Sequence, residues 1–146
     1  MPRPSATLPG MPRTAEDLTE DGLAFLTVRH LATLTTLRAN GTPHVTPVGF
    51  TWDGATRTAR VICSGTSQKA RNAAASGRAA LCSMDGPRWL TLEGPVRVSD
   101  DPAEVADAVA RYTARYRPPR ENPARVVLLV DVTRLLGSPA YLRTHT

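Results

Sequence analysis

Short segments in which apolar and polar residues alternate dominate the chain, and turn residues separate them. Residues 31–38 are rich in β-branched and apolar side chains, and Asn40-Gly41, the strongest short signal for a β-hairpin, follows them. A return strand is predicted from His44 to Trp52, with alternate side chains on opposite faces. Within it, Pro47 cannot donate a ladder hydrogen bond and Gly49 has no side chain to pack. This strand is therefore predicted to be an edge, a bulge, or a place where a flat ligand comes close to the backbone.

Further strands are predicted over residues 57–63, 78–84 and 88–98, and Gly94-Pro95 predicts a bulge or bend in the last of these. A run that is apolar on both faces, 126–132, predicts a central or interfacial strand. The count is about six strands, with hairpin signals early in the chain, which favours an antiparallel barrel over a parallel sheet. The predicted fold class is mainly β with inserted helices.

Three segments have helical signals. Thr14-Ala15-Glu16-Asp17 resembles a capping box with a short helix behind it. Residues 66–76 are rich in alanine and end at Gly77, a natural C-cap. Asp101-Pro102-Ala103-Glu104 opens a third helix, with Glu104 expected to close a capping box. The apolar face of this helix, which we predict to pack in the core rather than to bind a cofactor, consists of Val105, Val109, Tyr112 and Tyr116.

The length of 146 residues predicts a single domain. We expect a flexible N-terminal arm over residues 1–13, a barrel domain over 14–138 and a C-terminal tail over 139–146. No signal peptide and no apolar run of membrane-spanning length is found in the sequence, so a cytoplasmic protein is expected.

The chain carries a net charge of +5, and 17 of its 18 basic residues are arginine. These arginines are scattered, and aromatic residues make up only 5%, so an acidic small molecule is a better predicted partner than nucleic acid or membrane. Cys63 and Cys82 lack metal-ligand spacing and the three histidines do not pair, so no metal is expected.

Lys69 is the lone lysine and lies where a predicted strand, the Gly65 turn and a predicted helix meet. Ser67 and Gln68 stand beside it. The first N–H groups of a helix have no partner within the helix and favour an anion. Two interpretations stay open: these residues bind a phosphate, or they only cap a surface helix.

The sequence shows no Gly-x-Gly-x-x-Gly turn after a strand, no Walker loop and no nucleophile elbow. Glu93 and Asp131 lie in predicted strands, where an ion pair with an arginine is a better interpretation than catalysis. No catalytic residue is assigned. If the protein is an enzyme, a bound cofactor is expected to supply the chemistry.

Two motifs in this order resemble the pyridoxamine-phosphate-oxidase-like split β-barrel family: Gly65-Thr66-Ser67-Gln68-Lys69 and Asp85-Gly86-x-x-Trp89-Leu90-x-Leu92-Glu93-Gly94. Within that family, the sequence is similar to the flavin/deazaflavin oxidoreductases that use coenzyme F-420. The segments that carry this narrower resemblance start at Phe25-Leu26-x-x-Arg29-His30 and at Tyr112-x-x-Arg115-Tyr116-Arg117. The resemblance extends over residues 19–138.

The resemblance implies a homodimer of FMN-binding-type split barrels with cofactor sites at the interface. It implies hydride transfer from reduced coenzyme F-420 to a conjugated acceptor, with biliverdin or a related tetrapyrrole as the leading substrate. Flavin members of the family often have Arg-Lys where this chain has Gln68-Lys69, so one phosphate cation is missing. The alternatives are an FMN-dependent oxidase or reductase and a non-catalytic cofactor-binding module.

The resemblance also implies the site. Strand 45–49 would lie along the tricyclic ring, Ile62 and Cys63 would line it, and Ser67 to Lys69 would hold the phosphate. Arg60 and Arg71 are expected to bind the anionic groups of the cofactor. The predicted cofactor-binding residues are Thr46, Pro47, Val48, Gly49, Arg60, Ile62, Cys63, Ser67, Gln68, Lys69, Arg71 and Trp89.

Overall fold

The computed structural model describes residues 11–144. The eight strands are β1 (Ala32–Leu37), β2 (Pro43–Val48), β3 (Thr51–Asp53), β4 (Thr58–Ser64), β5 (Arg78–Asp85), β6 (Arg88–Ser99), β7 (Arg125–Asp131) and β8 (Arg134–Gly137). The helices are a 3₁₀ turn (Ala15–Asp17), α1 (Glu20–Thr27), α2 (Gln68–Ser76) and α3 (Pro102–Arg115). No helix within these residues is long and apolar enough to cross a membrane.

The strands form one antiparallel sheet in the order β2-β1-β5-β6-β7-β4-β3, and β8 pairs with β6. The two end strands, β2 and β3, follow each other in the chain with only Gly49-Phe50 between them. The sheet therefore curls until its ends meet at this joint, and the barrel is split there. The predicted antiparallel split barrel is confirmed, with eight strands where about six were expected.

The predicted continuous strand from His44 to Trp52 is wrong at its middle. Its first part, β2, pairs with β1 and ends the strand order, which confirms the predicted edge. Its last part, β3, pairs with β4. Phe50, which connects β2 to β3 together with Gly49, is fully buried. A Cβ at Gly49 would lie 3.0 Å from the ring of Tyr116 and 3.1 Å from that of Tyr112. The absence of a side chain at Gly49 thus lets the two tyrosines pack closely against the joint.

Gly94-Pro95 does not form a bulge against β5. The pairing of β5 with β6 runs unbroken through Ala79 opposite Gly94 and Arg78 opposite Pro95. At this point β6 instead exchanges one neighbour, β8, for another, β7. A Cβ at Gly94 would lie 1.9 Å from the carbonyl oxygen of Asp131, so the crossing requires glycine.

The helix ends follow the predicted caps with one exception. The Thr14–Asp17 capping box is present, and Gly77 ends α2 in the left-handed conformation with φ +69°. Asp101 caps α3 by accepting a hydrogen bond from the N–H of Glu104 at 3.1 Å. The Glu104 carboxylate does not close the box, since it accepts from Ser99 and Arg97 instead.

The predicted C-terminal tail over 139–146 is wrong for the residues that the structure describes. Tyr141 and Leu142 are buried, and the N–H of Thr19 donates to the Tyr141 carbonyl at 3.0 Å. Residues 1–10 of the predicted arm lie outside the described residues, as do 145–146. Arg13 belongs to the domain, because its carbonyl accepts from the N–H of Leu135.

The main core fills the barrel, and a smaller cluster lies between β7 and α3. Leu128 and Val130 face the main core, while Val127 and Leu129 pack with Ala108 of α3. Both faces of β7 are therefore covered, which explains its apolar run and confirms the prediction of a central strand.

Candidate functional site

A cavity of about 560 Å³ opens between β2, the β4–α2 turn, the end of α3 and the segment before β7. It receives side chains from both halves of the sheet, because the joint at Gly49 brings the end strands together. Seven of the twelve predicted site residues line it, namely Pro47, Val48, Gly49, Ile62, Cys63, Ser67 and Lys69.

The start of α2 forms the polar end of the cavity. The Ser67 hydroxyl accepts from the N–H of Ala70 at 3.3 Å and donates to the Ser64 carbonyl at 2.7 Å, so Ser67 is the N-cap. Within the described residues, the N–H groups of Gln68 and Lys69 have no acceptor, and the Lys69 ammonium has no ion pair or hydrogen bond. Ser67 therefore caps the helix, but the two N–H donors and the Lys69 ammonium remain available to bind an anion.

The adjoining wall is uncharged. Burial raises the pKa of the Cys63 thiol, and a hydrogen bond with Ser67 and the charge of Lys69 only partly oppose this. The thiol is thus protonated at neutral pH and acts as a small polarisable wall beside Ile62.

Five predicted residues do not line this cavity. Thr46 turns its hydroxyl inward, where it is buried without a partner. The Gln68 amide donates to Asn72 and accepts from Arg71, and Arg71 also donates to the Thr66 carbonyl at 3.0 Å. The side chains of Gln68 and Arg71 thus run along α2 and do not enter the cavity.

Arg60 and Trp89 lie elsewhere. The Arg60 guanidinium donates to Asp53 at 3.1 Å and lies 3.7 Å from Asp107. Burial alone would raise the pKa of Asp53, but hydrogen bonds from Thr56 and Arg60 and the charge of Arg111 hold it below its ordinary value. Arg60 is thereby neutralised. Trp89 pairs with Met84 at the far end of the β5–β6 hairpin.

Sequence reasoning missed six lining residues: Leu31, Ser64, Tyr112, Pro119, Asn122 and Arg125. Tyr112 was predicted to pack in the core, but its ring forms a wall of the cavity beside Gly49. Pro119 and Asn122 follow Tyr112 in the segment that resembled the deazaflavin oxidoreductases, which was the available signal for them.

Tyr116 and Arg115 fix the joint that shapes the cavity. The Tyr116 hydroxyl donates to the His30 carbonyl at 2.7 Å and accepts from the N–H of Phe50 at 3.3 Å. Arg115 donates to the carbonyls of Phe50 and Val28 at 2.5 and 2.9 Å. Tyr116 is therefore a structural clamp rather than part of the predicted apolar core face.

No group of three His, Cys, Asp or Glu side chains within residues 11–144 is arranged to hold a metal ion.

Together, the antiparallel barrel split at its end strands and the cavity ending at a helix N-terminus define a small-ligand-binding split-barrel protein. The family model for pyridoxamine 5'-phosphate oxidase matches residues 18–138. The chain belongs to this family, as the resemblance predicted.

One relative, the F-420H(2)-dependent biliverdin reductase of Mycobacterium tuberculosis (strain CDC 1551 / Oshkosh), is 56% identical over 128 residues, which cover 88% of this chain and 93% of the relative. A solved F-420 reductase matches with a TM-score of 0.66 and 28% identity, covering 82% of this chain and 98% of the other. The conserved hypothetical protein Rv2991 from Mycobacterium tuberculosis matches with a TM-score of 0.70 and 22% identity, covering 83% and 86%, and supports the fold alone.

Proposed function

We propose that this protein is an oxidoreductase that uses reduced coenzyme F-420 and that biliverdin or a related tetrapyrrole is its acceptor. The relative with 56% identity is a biliverdin reductase that depends on this coenzyme, and a structural neighbour is an F-420 reductase. The observation that carries the proposal is the cavity itself, where unpaired donors and the only lysine meet an uncharged wall.

The residues present fit such a coenzyme. The N–H groups of Gln68 and Lys69 and the Lys69 ammonium form an anion cradle for a phosphate. Pro47 and Gly49 line the cavity beside it, and Ile62 and Cys63 supply an apolar wall for a flat ring. When bound, the coenzyme supplies a hydride to a conjugated acceptor. The protein aligns the two molecules and excludes water.

The described lining of the cavity offers no carboxylic acid or imidazole for the accompanying proton. Among the described residues, no aspartate, glutamate or histidine lines the cavity, and the Cys63 thiol holds its proton more tightly than an ordinary thiol because its pKa is raised. We therefore assign the proton to solvent and name no catalytic residue.

We further propose that the protein is a homodimer with the cavity at its interface. By strand pairing, one outer face of the sheet spans β2, β1, β5, β6 and β8. The large apolar side chains on this face are 37–59% exposed and are Leu37, Val45, Met84, Trp89 and Leu136. Pro47 lies on the same face and lines the cavity. A second copy seated there would therefore complete the cavity and bring Trp89 into the interface.

Sedimentation tests the dimer. The wild-type protein is expected to sediment at twice the chain mass of 15.7 kDa. Thr35→Arg places a charge in the middle of the face, between Val45 and Ala80, and is expected to give a monomer. Ala103→Arg, on the exposed side of α3, is the control and should remain dimeric. A monomeric wild type would refute the interface.

The function is tested by titrating the purified protein with coenzyme F-420 and then following oxidation of the reduced coenzyme in the presence of biliverdin. Saturable binding with biliverdin-dependent oxidation supports the proposal. Binding without turnover would retain the coenzyme and remove this acceptor. Absence of binding, with FMN retained by the purified protein instead, would favour the flavin-dependent alternative.

A further inference from the structure

A second cavity of about 470 Å³ adjoins the candidate site. Tyr112 and Pro119 line both cavities, so the two spaces are neighbours across these side chains. The second cavity is otherwise lined by Pro118 and by two arginines, Arg117 and Arg120. A ligand extending from the first cavity past Tyr112 would meet these arginines.

Both arginines have charges that the protein leaves unpaired. Arg117 and Arg120 are exposed, and within residues 11–144 neither guanidinium forms an ion pair or donates a hydrogen bond. Glu121 is the one acidic residue between positions 117 and 125, and it lines neither cavity. A guanidinium presents a planar pair of donors that matches a carboxylate.

The segment that carries the arginines is held in place. The Arg125 guanidinium donates to the Arg120 carbonyl, and the Asn122 side chain accepts from the N–H of Ala124 at 3.0 Å. The Ala124 carbonyl accepts from the N–H of Gly65 at 2.7 Å. Because Gly65 belongs to the turn that leads to Lys69, the segment and the anion cradle are fixed relative to each other.

We infer that Arg117 and Arg120 form a carboxylate subsite that adjoins the candidate coenzyme cavity. This inference rests on the proposed function, in which both partners carry carboxylates. The oligoglutamate tail of the coenzyme is one source, and the two propionates of biliverdin are the other. Either would extend from the first cavity toward the arginines, and the chemistry of recognition is the same.

Equilibrium binding tests the subsite without relying on turnover. The test variant is Arg117→Gln/Arg120→Gln. The control is Arg143→Gln, which removes an exposed arginine outside the sheet whose side chain also lacks an ion pair within the described residues. The ligands are coenzyme F-420 with its tail, the same coenzyme without glutamates, biliverdin, and biliverdin dimethyl ester. Circular dichroism and thermal unfolding check that each variant is folded.

If the arginines bind the tail, the double substitution weakens binding of the tailed coenzyme by about two- to fivefold per arginine, as expected for ion pairs at exposed positions. Binding of the tail-free coenzyme then stays unchanged. If they bind propionates, biliverdin is weakened while its dimethyl ester and both coenzyme forms are not. Either pattern supports the subsite and identifies its ligand.

Equal binding of all four ligands by the wild type and the double variant would overturn the subsite, as would an equal loss in the control. A wild type that binds neither form of the coenzyme would instead refute the proposed function. In that case weakened binding of biliverdin by the test variant alone would still support the subsite, and unchanged binding would overturn it.

Discussion

Two regions that both include residues of α3 differ in whether their positive charges are paired. At one, Arg60 is 12% exposed and is paired with Asp53 and Asp107. Arg111 joins the same group, with its guanidinium 2.9 Å from Asp107 and 3.4 Å from Asp53. At the other, around the two cavities, Lys69 and Arg117 have no acidic partner within the described residues.

This difference teaches that the net charge of +5 says little about where an anion binds. The arginines beside Asp53 are neutralised by the fold and stabilise α3 against β3 and β4. The unpaired cations gain a partner only when a ligand arrives, so they remain available for binding. Substitutions in the two regions should therefore separate affinity from stability.

Lys69→Ala is expected to have the largest effect. It should weaken binding of coenzyme F-420 by about 1–3 kcal/mol, because a hydrogen bond to a charged phosphate is lost. The free energy of unfolding should change by less than about 0.5 kcal/mol, because Lys69 is only half-buried and its ammonium has no partner within the described residues to lose. Fluorescence titration and denaturant unfolding measure the two quantities.

Arg71→Ala is the matched control for Lys69, since Arg71 lies two residues further along α2 and is engaged with Thr66 and Gln68. Its effect on affinity should be clearly smaller than that of Lys69→Ala. Equal losses of affinity for both variants would show that coenzyme binding depends on the overall positive charge of this region and not on a direct contact with Lys69.

The sequence predicted the Lys69 region well because its signals are local. A strand, a glycine turn and a serine cap determine each other within a few residues, and the structure has each of them where expected. The surroundings of Arg60 were only partly predictable in this way. Asp53 is seven residues away on the neighbouring strand, but Asp107 is distant in the sequence, and only the packing of α3 on β4 brings it near. Arg60 is expected from the resemblance to meet an anionic group of the cofactor, whereas in the structure these two carboxylates pair with it.

Long-range packing also explains the other differences. Gly49 lines the cavity, and Tyr112 and Tyr116 also pack beside its Cα, which the expectation of a close approach by a ligand did not include. Nothing near residue 49 in the sequence indicates these tyrosines. Likewise, the short C-terminal segment has no regular pattern of its own, and Tyr141 and Leu142 are buried only because the start of the domain packs on them.

Arg60→Gln should have the second largest effect, and it should affect stability. The Asp53 carboxylate, whose side chain is 11% exposed, would lose a charged hydrogen bond, so unfolding should become easier by about 1–2 kcal/mol. Coenzyme affinity should stay within about twofold of the wild type, a change of less than about 0.5 kcal/mol. Denaturant unfolding and the same titration measure these changes.

Arg57→Gln is the control for Arg60, because Arg57 pairs with Glu16 at an exposed position and should contribute less than about 0.5 kcal/mol. A large loss of coenzyme affinity in Arg60→Gln, with stability intact, would place Arg60 in the binding site and abolish the distinction between the two regions.

The smallest effect is expected from Glu104→Gln, which tests through pH an ion pair with Arg97 outside the group around Asp53. Hydrogen bonds from Arg97 and Ser99 lower the pKa of Glu104 to about 2. Because the folded pKa lies below the unfolded value of about 4.3, the stabilisation is complete above that value and is lost as pH falls toward 2. The variant should therefore unfold slightly more easily than the wild type at pH 7, and the difference should shrink at pH 3. Thermal unfolding of both proteins across this range measures it, and a difference independent of pH would show that the Glu104 carboxylate does not gain its stability from ion pairing.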